Sequence, residues 1–110
     1  MLNDLQRSVD RYVKQAGGYF GDLTNLARLL EEAGEIAAIY ARTRGELKPK
    51  PTDDVSADAL ESEMGDLLFV LCCLANQAGI DLEKALGGSI AKFNERDRDR
   101  HSHLHEGGES

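Results

Sequence analysis

Nine consecutive apolar residues, Leu67 to Ala75 (LLFVLCCLA), constrain this chain more than any other feature. They follow Ser56-Ala-Asp-Ala-Leu-Glu, which supplies an N-cap and early acids, and they precede Gly79, a stop signal. The spacing predicts a helix from just after Ser56 to about Ala78, apolar all round along its second half and therefore buried on every side. The run falls far short of the roughly 18 apolar residues of a membrane span, so its cover must be protein. At 110 residues there is room for one domain, which would bury only about 60 to 70% of its unfolded surface.

Three more helices are predicted around this one. The first, Leu2 to Gln15, places Leu2, Leu5, Val9 and Tyr12/Val13 on one stripe and ends at Gly17-Gly18. The second starts at Asp22 or Thr24, either able to cap it, and runs to about Arg44, with Leu26, Leu29, Leu30, Ala33, Ile36, Ala37 and Tyr40 as its apolar face. The fourth, about Asp81 to Arg96, carries Leu82, Leu86, Ile90 and Phe93 and is weakened at Gly87-Gly88. Pro49 and Pro51 keep the stretch between the second and third helices from being wholly helical. Residues 97–110 have no apolar period and read as a polar, disordered tail, where His101, His103 and His105 alternate without making a site. The expected architecture is all-α and four-helix-bundle-like, with one domain over residues 1–96. Four short helices can hardly cover the third on all sides, so a homo-oligomer is expected to complete it.

Twenty acids against thirteen bases give a net charge of −7, which argues against nucleic acid or anionic lipid as a partner. The start MLNDLQRSVD lacks the charged-then-apolar order of a secretory signal, and a cytoplasmic, membrane-free protein is expected. Cys72 and Cys73 are adjacent and read as small core residues, not as a disulfide framework. Along the chain, the acidic excess concentrates in residues 46–66, which hold 7 acids and 2 bases.

Two acids flank a glycine at the same spacing twice: Glu32-Ala-Gly-Glu35 in the second helix and Glu63-Met-Gly-Asp66 in the third. Positions i and i+3 are helical neighbours about 5 to 6 Å apart, so each pair can point at one object. At about 100° per residue, Glu32 adjoins the stripe of Leu29, Ala33 and Ile36. Glu63 shares its azimuth with Leu67, Val70 and Leu74, and Asp66 falls beside Val70 and Cys73. A carboxylate on such a face must be neutralised by a proton, a base or a metal. The bland alternative is an ion-pair network with Arg28, Arg42 or Lys92. Hard oxygens without histidine or usable thiolate favour Mg2+ or Mn2+, and the Glu-x-x-His pairs of a di-iron bundle are missing. Gly34 and Gly65, each costly in a helix interior, would suit two helices closing around an ion. Lys92 and Arg96, four apart beside Phe93, could meet a phosphate or serve only solubility.

Glu31, Glu32, Glu35, then 27 residues, then Glu63 and Asp66 form the pattern Glu-Glu-x-x-Glu, spacer, Glu-x-x-Asp. With the flanking GYFGDLTNLARLLEEAGEIA, GDLLFVLCCLANQAGIDLEKAL and KFNERDRDR, the sequence resembles the MazG-like all-α nucleoside triphosphate pyrophosphohydrolases, in their short single-domain bacterial form. The resemblance implies cleavage of the α–β phosphoanhydride of a (deoxy)nucleoside triphosphate to monophosphate and pyrophosphate. It implies Mg2+ on Glu32, Glu35, Glu63 and Asp66, and Glu31 as the acid that binds a further ion or orients water. Lys92 and Arg96 match basic positions that would contact phosphates, and Asn76 and Asn94 match polar positions near the nucleotide. It also implies a homodimer or homotetramer. A module that keeps the site without chemistry is the rival reading, and the phosphoribosyl-ATP pyrophosphohydrolase of histidine synthesis fits the flanks less well.

Overall fold

The computed structural model describes residues 1–107 apart from 46, 47, 49 and 52, with side chains as far as Arg100. Four helices follow in order: α1 (Leu2–Gln15), α2 (Asp22–Thr43), α3 (Ala57–Ala78) and α4 (Leu82–Gly107). The described residues contain no strand. Pro49 lies outside the described residues, and Pro51 lies in a turn.

Local chemistry explains most ends. Ser56 caps α3, its hydroxyl accepting from the Ala59 amide at 3.1 Å. At the far end Gly79 takes the left-handed conformation (φ 70°), which lets the Ile80 amide reach back to the Ala75 carbonyl at 2.8 Å. Gly17 and Gly18, at φ 119° and 105°, turn the chain out of α1 in a backbone region that L side chains rarely enter. Gly21, rather than Asp22 or Thr24, is the N-cap of α2. The fourth helix departs most from expectation, continuing past Arg96 to Gly107. No glycine or proline stands between Gly88 and Gly107, so backbone hydrogen bonding meets no obstacle there even though the apolar period has ended.

The core is centred on α3, which packs mainly on α2 and less on α1, while α4 touches α1. Val70, Cys72, Cys73 and Ala75 of α3 are buried with Val13 of α1 and Ile39 of α2. Leu68 and Leu71 remain 44% and 38% exposed, so the apolar run is covered on two sides and not on all, because no helix among the described residues reaches its third. On α2 the inward face is rotated from the expected one. Asn25 and Ile39 are buried and Leu29, Glu32 and Ile36 half-buried, while Leu26, Leu30, Ala33, Ala37 and Tyr40 look outward. On α1, Gln6 joins Val13 inside while Leu5 and Tyr12 lie outside.

Polar side chains do much of the joining. Gln6 donates to the Asn76 side chain at 2.9 Å and to the Ile80 carbonyl at 2.7 Å, and accepts from the Leu82 amide at 2.9 Å. It thereby satisfies a donor at the start of α4 and fixes where that helix leaves α1. From there α4 turns 103° away from α3. The radius of gyration is 19.0 Å, against about 13 Å for a compact domain of this length. No single helix among the described residues is long and apolar enough to cross a membrane.

Candidate metal centre and adjoining cleft

Facing turns of α2 and α3 bring together Glu32, Glu63 and Asp66, each offering one oxygen within 4.8 Å of the others. Glu35, one turn beyond Glu32, lies within hydrogen-bonding reach of Glu63 and Glu32. Glu35 is held above the ordinary glutamate range first by its hydrogen bond and repulsion with Glu63, then by desolvation. On Glu63 the hydrogen bond with Glu35 acts downward, but the bond to Glu32, desolvation and the charges of Glu32 and Asp66 outweigh it and raise the group. The acids thus crowd Glu35 and Glu63 with like charge.

No base relieves them. None of the ion pairs among the described residues includes any of the five candidate acids. Arg42 turns instead to Asp53 at 3.3 Å, and Lys92 lies over Phe93 on α4. Glu32 and Glu63 each keep one buried carboxyl oxygen without any hydrogen-bond partner. Buried acceptors are ordinarily paired, and orphaned oxygens converging from two helices are what a hard cation's coordination shell requires. The donor set therefore fits a divalent cation and leaves the ion-pair alternative without its bases.

Other expected residues fall elsewhere. Glu31 is exposed and acts on the cluster only by adding to the repulsion at Glu35. Asn76 stands ten residues beyond Asp66, about 15 Å along the helix, and its amide serves Gln6 and Tyr19. Lys92, Asn94 and Arg96 are exposed on α4, with Lys92 and Arg96 both packed over the Phe93 ring. Within one chain the structure does not bring them to the carboxylates. A Cβ added at Gly34 or Gly65 would meet nothing within 4 Å, so the expected close approach of helices at these glycines is absent inside the protomer.

A cleft of about 530 Å3 opens beside the acids, with Glu32 and Asp66 in its wall, a volume ordinary for a small-ligand site. Its floor is Val70 and Cys73 of α3, and Tyr19 and Phe20 of the α1–α2 connection form one side. Tyr12 and Phe69, which also line it, meet edge to face with centroids 5.9 Å apart. Tyr19 donates to Asp10 at 2.5 Å and accepts from Asn76 at 3.0 Å. Burial, then the bond to Asp10, pushes its hydroxyl up to about 12. Sequence reasoning assigned no ligand role to this wall or to Arg28 within it. The available signal was Arg28 standing one turn before Glu32 and a Tyr-Phe pair directly after two glycines.

Four helices that present carboxylates on facing turns beside a ligand-sized cleft define an all-α protein with a candidate divalent-cation site. The MazG nucleotide pyrophosphohydrolase domain matches residues 20–101. YpjD of Bacillus subtilis (strain 168), a protein of uncharacterized function, is 46% identical over 107 residues, 96% of this chain and 95% of its own length. YvdC of the same strain, also uncharacterized, is 30% identical over 89 residues, 77% of this chain and 84% of its own. Among solved structures, YpjD from Bacillus subtilis, described as a candidate pyrophosphatase, superposes with a TM-score of 0.74 at 45% identity, covering 86% of this chain and 95% of that one. The Bacillus-conserved MazG protein, a nucleotide pyrophosphohydrolase, does so with a TM-score of 0.71 at 41% identity, covering 90% and 95%. The chain belongs to the MazG nucleotide pyrophosphohydrolase family.

Proposed function

We propose that this chain is a Mg2+-dependent nucleoside triphosphate pyrophosphohydrolase, with Mn2+ as a possible substitute. Water adds across the α–β phosphoanhydride of a (deoxy)nucleoside triphosphate, giving the monophosphate and pyrophosphate. The observation that carries this reading is the cluster of Glu32, Glu63 and Asp66, with two orphaned buried oxygens and no basic partner among the described residues, two of its acids, Glu32 and Asp66, standing in the wall of the cleft. Glu32, Glu63 and Asp66 would hold the cation, and Glu35, beside Glu63, would join them. When bound, such a cation neutralises polyphosphate charge and lowers the pKa of a coordinated water. The protein's own part is to keep four carboxyls convergent and to place an open, partly aromatic-walled cleft beside them. Glu31, outside the cluster, is left to a further ion or to ordering water at the rim.

Lys92, Asn94 and Arg96 fit the same reading only if α4 of a second copy is brought over the cleft. The exposed area supports such assembly. The chain exposes 8340 Å2, against about 6,000 Å2 for a folded monomer of this mass. Part of the excess lies on apolar side chains of α2, where Leu23 and Leu30 are 78% and 67% exposed.

The test is pyrophosphate release from a panel of nucleotides with Mg2+ and Mn2+ in parallel. Release of pyrophosphate rather than orthophosphate, lost in Glu63→Gln protein that keeps its helical spectrum, supports the reading. Tight nucleotide binding without release would select a non-catalytic binding module instead.

A further inference from the structure

The cleft extends past the acids toward Arg28, and the arginine there is held in an unusual way. It stands four residues before Glu32, the spacing at which an arginine and a glutamate ordinarily pair. Yet none of the ion pairs among the described residues includes it. Its guanidinium lies over the Phe20 ring, 5.2 Å from the centroid, and its Nη1 donates to Asn25 Oδ1 at 3.1 Å. Asn25 is 1% exposed and donates from Nδ2 to Gln77 Oε1 at 2.9 Å, while Gln77 donates to the Phe20 carbonyl at 2.7 Å. A closed chain of contacts through Phe20, Arg28, Asn25 and Gln77 thus ties the α1–α2 connection, α2 and α3 together. It fixes a half-buried cation inside the cleft without a neutralising carboxylate.

An arginine has five N–H donors and no acceptor. One donor serves Asn25, and the others are available to a ligand in the cleft. What that ligand offers is constrained by position. The carboxylate cluster is where a cation and its phosphates belong, and Arg28 is about one helical turn, 5.4 Å, farther along the cleft and turned from Glu32 toward aromatic surface. One turn from the phosphates, between Phe20 and the Tyr12–Phe69 pair, a nucleotide presents its base. Resting on the pyrophosphohydrolase reading, we propose that Phe20 and Arg28 form a nucleobase subsite that prefers bases with a carbonyl oxygen on the edge facing Arg28. Guanine, hypoxanthine, uracil and thymine offer such an acceptor. Adenine places an amino donor there beside its N7 acceptor, so it can take only one bond from the all-donor guanidinium. Guanine O6 and N7 together accept the arginine fork in a bidentate pair, and the ring face is left for stacking.

The test compares kcat/KM for pyrophosphate release from dGTP, dUTP and dATP in the native protein, Arg28→Gln, Arg28→Lys and Phe20→Leu. Calorimetric binding of dGMP and dAMP to the same proteins with Mg2+ runs alongside. The native protein is expected to favour dGTP over dATP at least tenfold in both readouts. Arg28→Gln should collapse that ratio toward one, and Arg28→Lys should restore it only in part, lacking the planar fork. Absence of preference in the native protein overturns the subsite, as does an equal loss on all three nucleotides in Arg28→Gln, which would mark a phosphate contact. If no nucleotide is turned over but dGMP still outbinds dAMP in an Arg28-dependent way, the subsite stands and the hydrolase reading falls. Unchanged melting temperatures for the variants guard against a folding artefact.

Discussion

Glu63 has three acids in its immediate surroundings and an oxygen without a partner, a combination that costs stability unless a cation is present. The sign follows from the direction of the shifts. Glu35 and Glu63 are raised above the ordinary value of 4.5. In chelated protein their contribution is therefore fully present below that pH and declines as pH rises through their folded values. Melting in EDTA should accordingly improve as pH is lowered from 8 toward 5, and added Mg2+ should cancel the trend; identical curves with and without Mg2+ would sink the metal assignment. Glu63→Gln should raise the melting temperature of the chelated protein at neutral pH while removing pyrophosphate release, the pairing expected where a site is kept at the expense of stability. Much of this cluster was legible, because spacing on a helix dictates which carboxylates can converge. The residues that hold the surrounding cleft were not. Asn25, Gln6 and Gln77 act through long-range hydrogen bonds, and a polar residue's partner seventy positions away leaves no period in the sequence. Tyr19 shows how far that reaches. It joins α1 and α3 through Asp10 and Asn76, so Tyr19→Phe should cost about 1 kcal/mol, read as a lower urea midpoint at unchanged slope.

At the scale of the element, capping chemistry explains why α1 and α3 begin and end where expected, since Ser56, Gly79 and the Gly17-Gly18 turn act on backbone groups adjacent in sequence. Two features needed more than local chemistry. The inward face of α2 carries Asn25 and Glu32 because the cleft and the acidic cluster lie there, whereas hydropathy alone turns Leu26 and Leu30 inward. The end of α4 lies beyond the point the apolar period marks, because that period stops at Phe93 whereas the backbone meets no breaker before Gly107. Residues between Arg96 and Arg100 make no side-chain hydrogen bond or ion pair to the helical body among the described residues. A chain ending at Arg96 should therefore melt within a few degrees of the full one. Gly88 offers a test in the other direction. At about 100° per residue it lies opposite the stripe of Leu86, Ile90 and Phe93, and an added Cβ meets nothing within 4 Å. Gly88→Ala should stabilise α4 by about 0.5 to 1 kcal/mol, read from the denaturant midpoint.

Across the whole molecule, the difficulty is that too much apolar surface stays outside. Leu23, Leu26, Leu30, Ala33, Ala37 and Tyr40 of α2 are all exposed and recur at alternating intervals of three and four, the spacing of a helix-packing seam. Leu23 and Leu30 are 78% and 67% exposed, and a solvated row of this kind is rare in a monomer. On α3, Leu68 and Leu71 form the uncovered third side of the apolar run. A second copy laid on this face of the 12.0 kDa chain would bury the seam and shield the run together. LLFVLCCLA itself raises the expectation of a partner, but which face of α2 would meet one is not legible there, since that depends on which face the cleft claims. Light scattering behind size exclusion should give a mass at least twice that of the chain. Leu30→Glu, placing a charge in the middle of the seam, should shift the population toward monomer without altering the carboxylate pairs. If assembly also delivers Lys92 and Arg96 to the cleft, pyrophosphate release in that variant should fall with dilution as dissociation proceeds. Constant specific activity from dimer to monomer would instead mean that one chain holds a complete site.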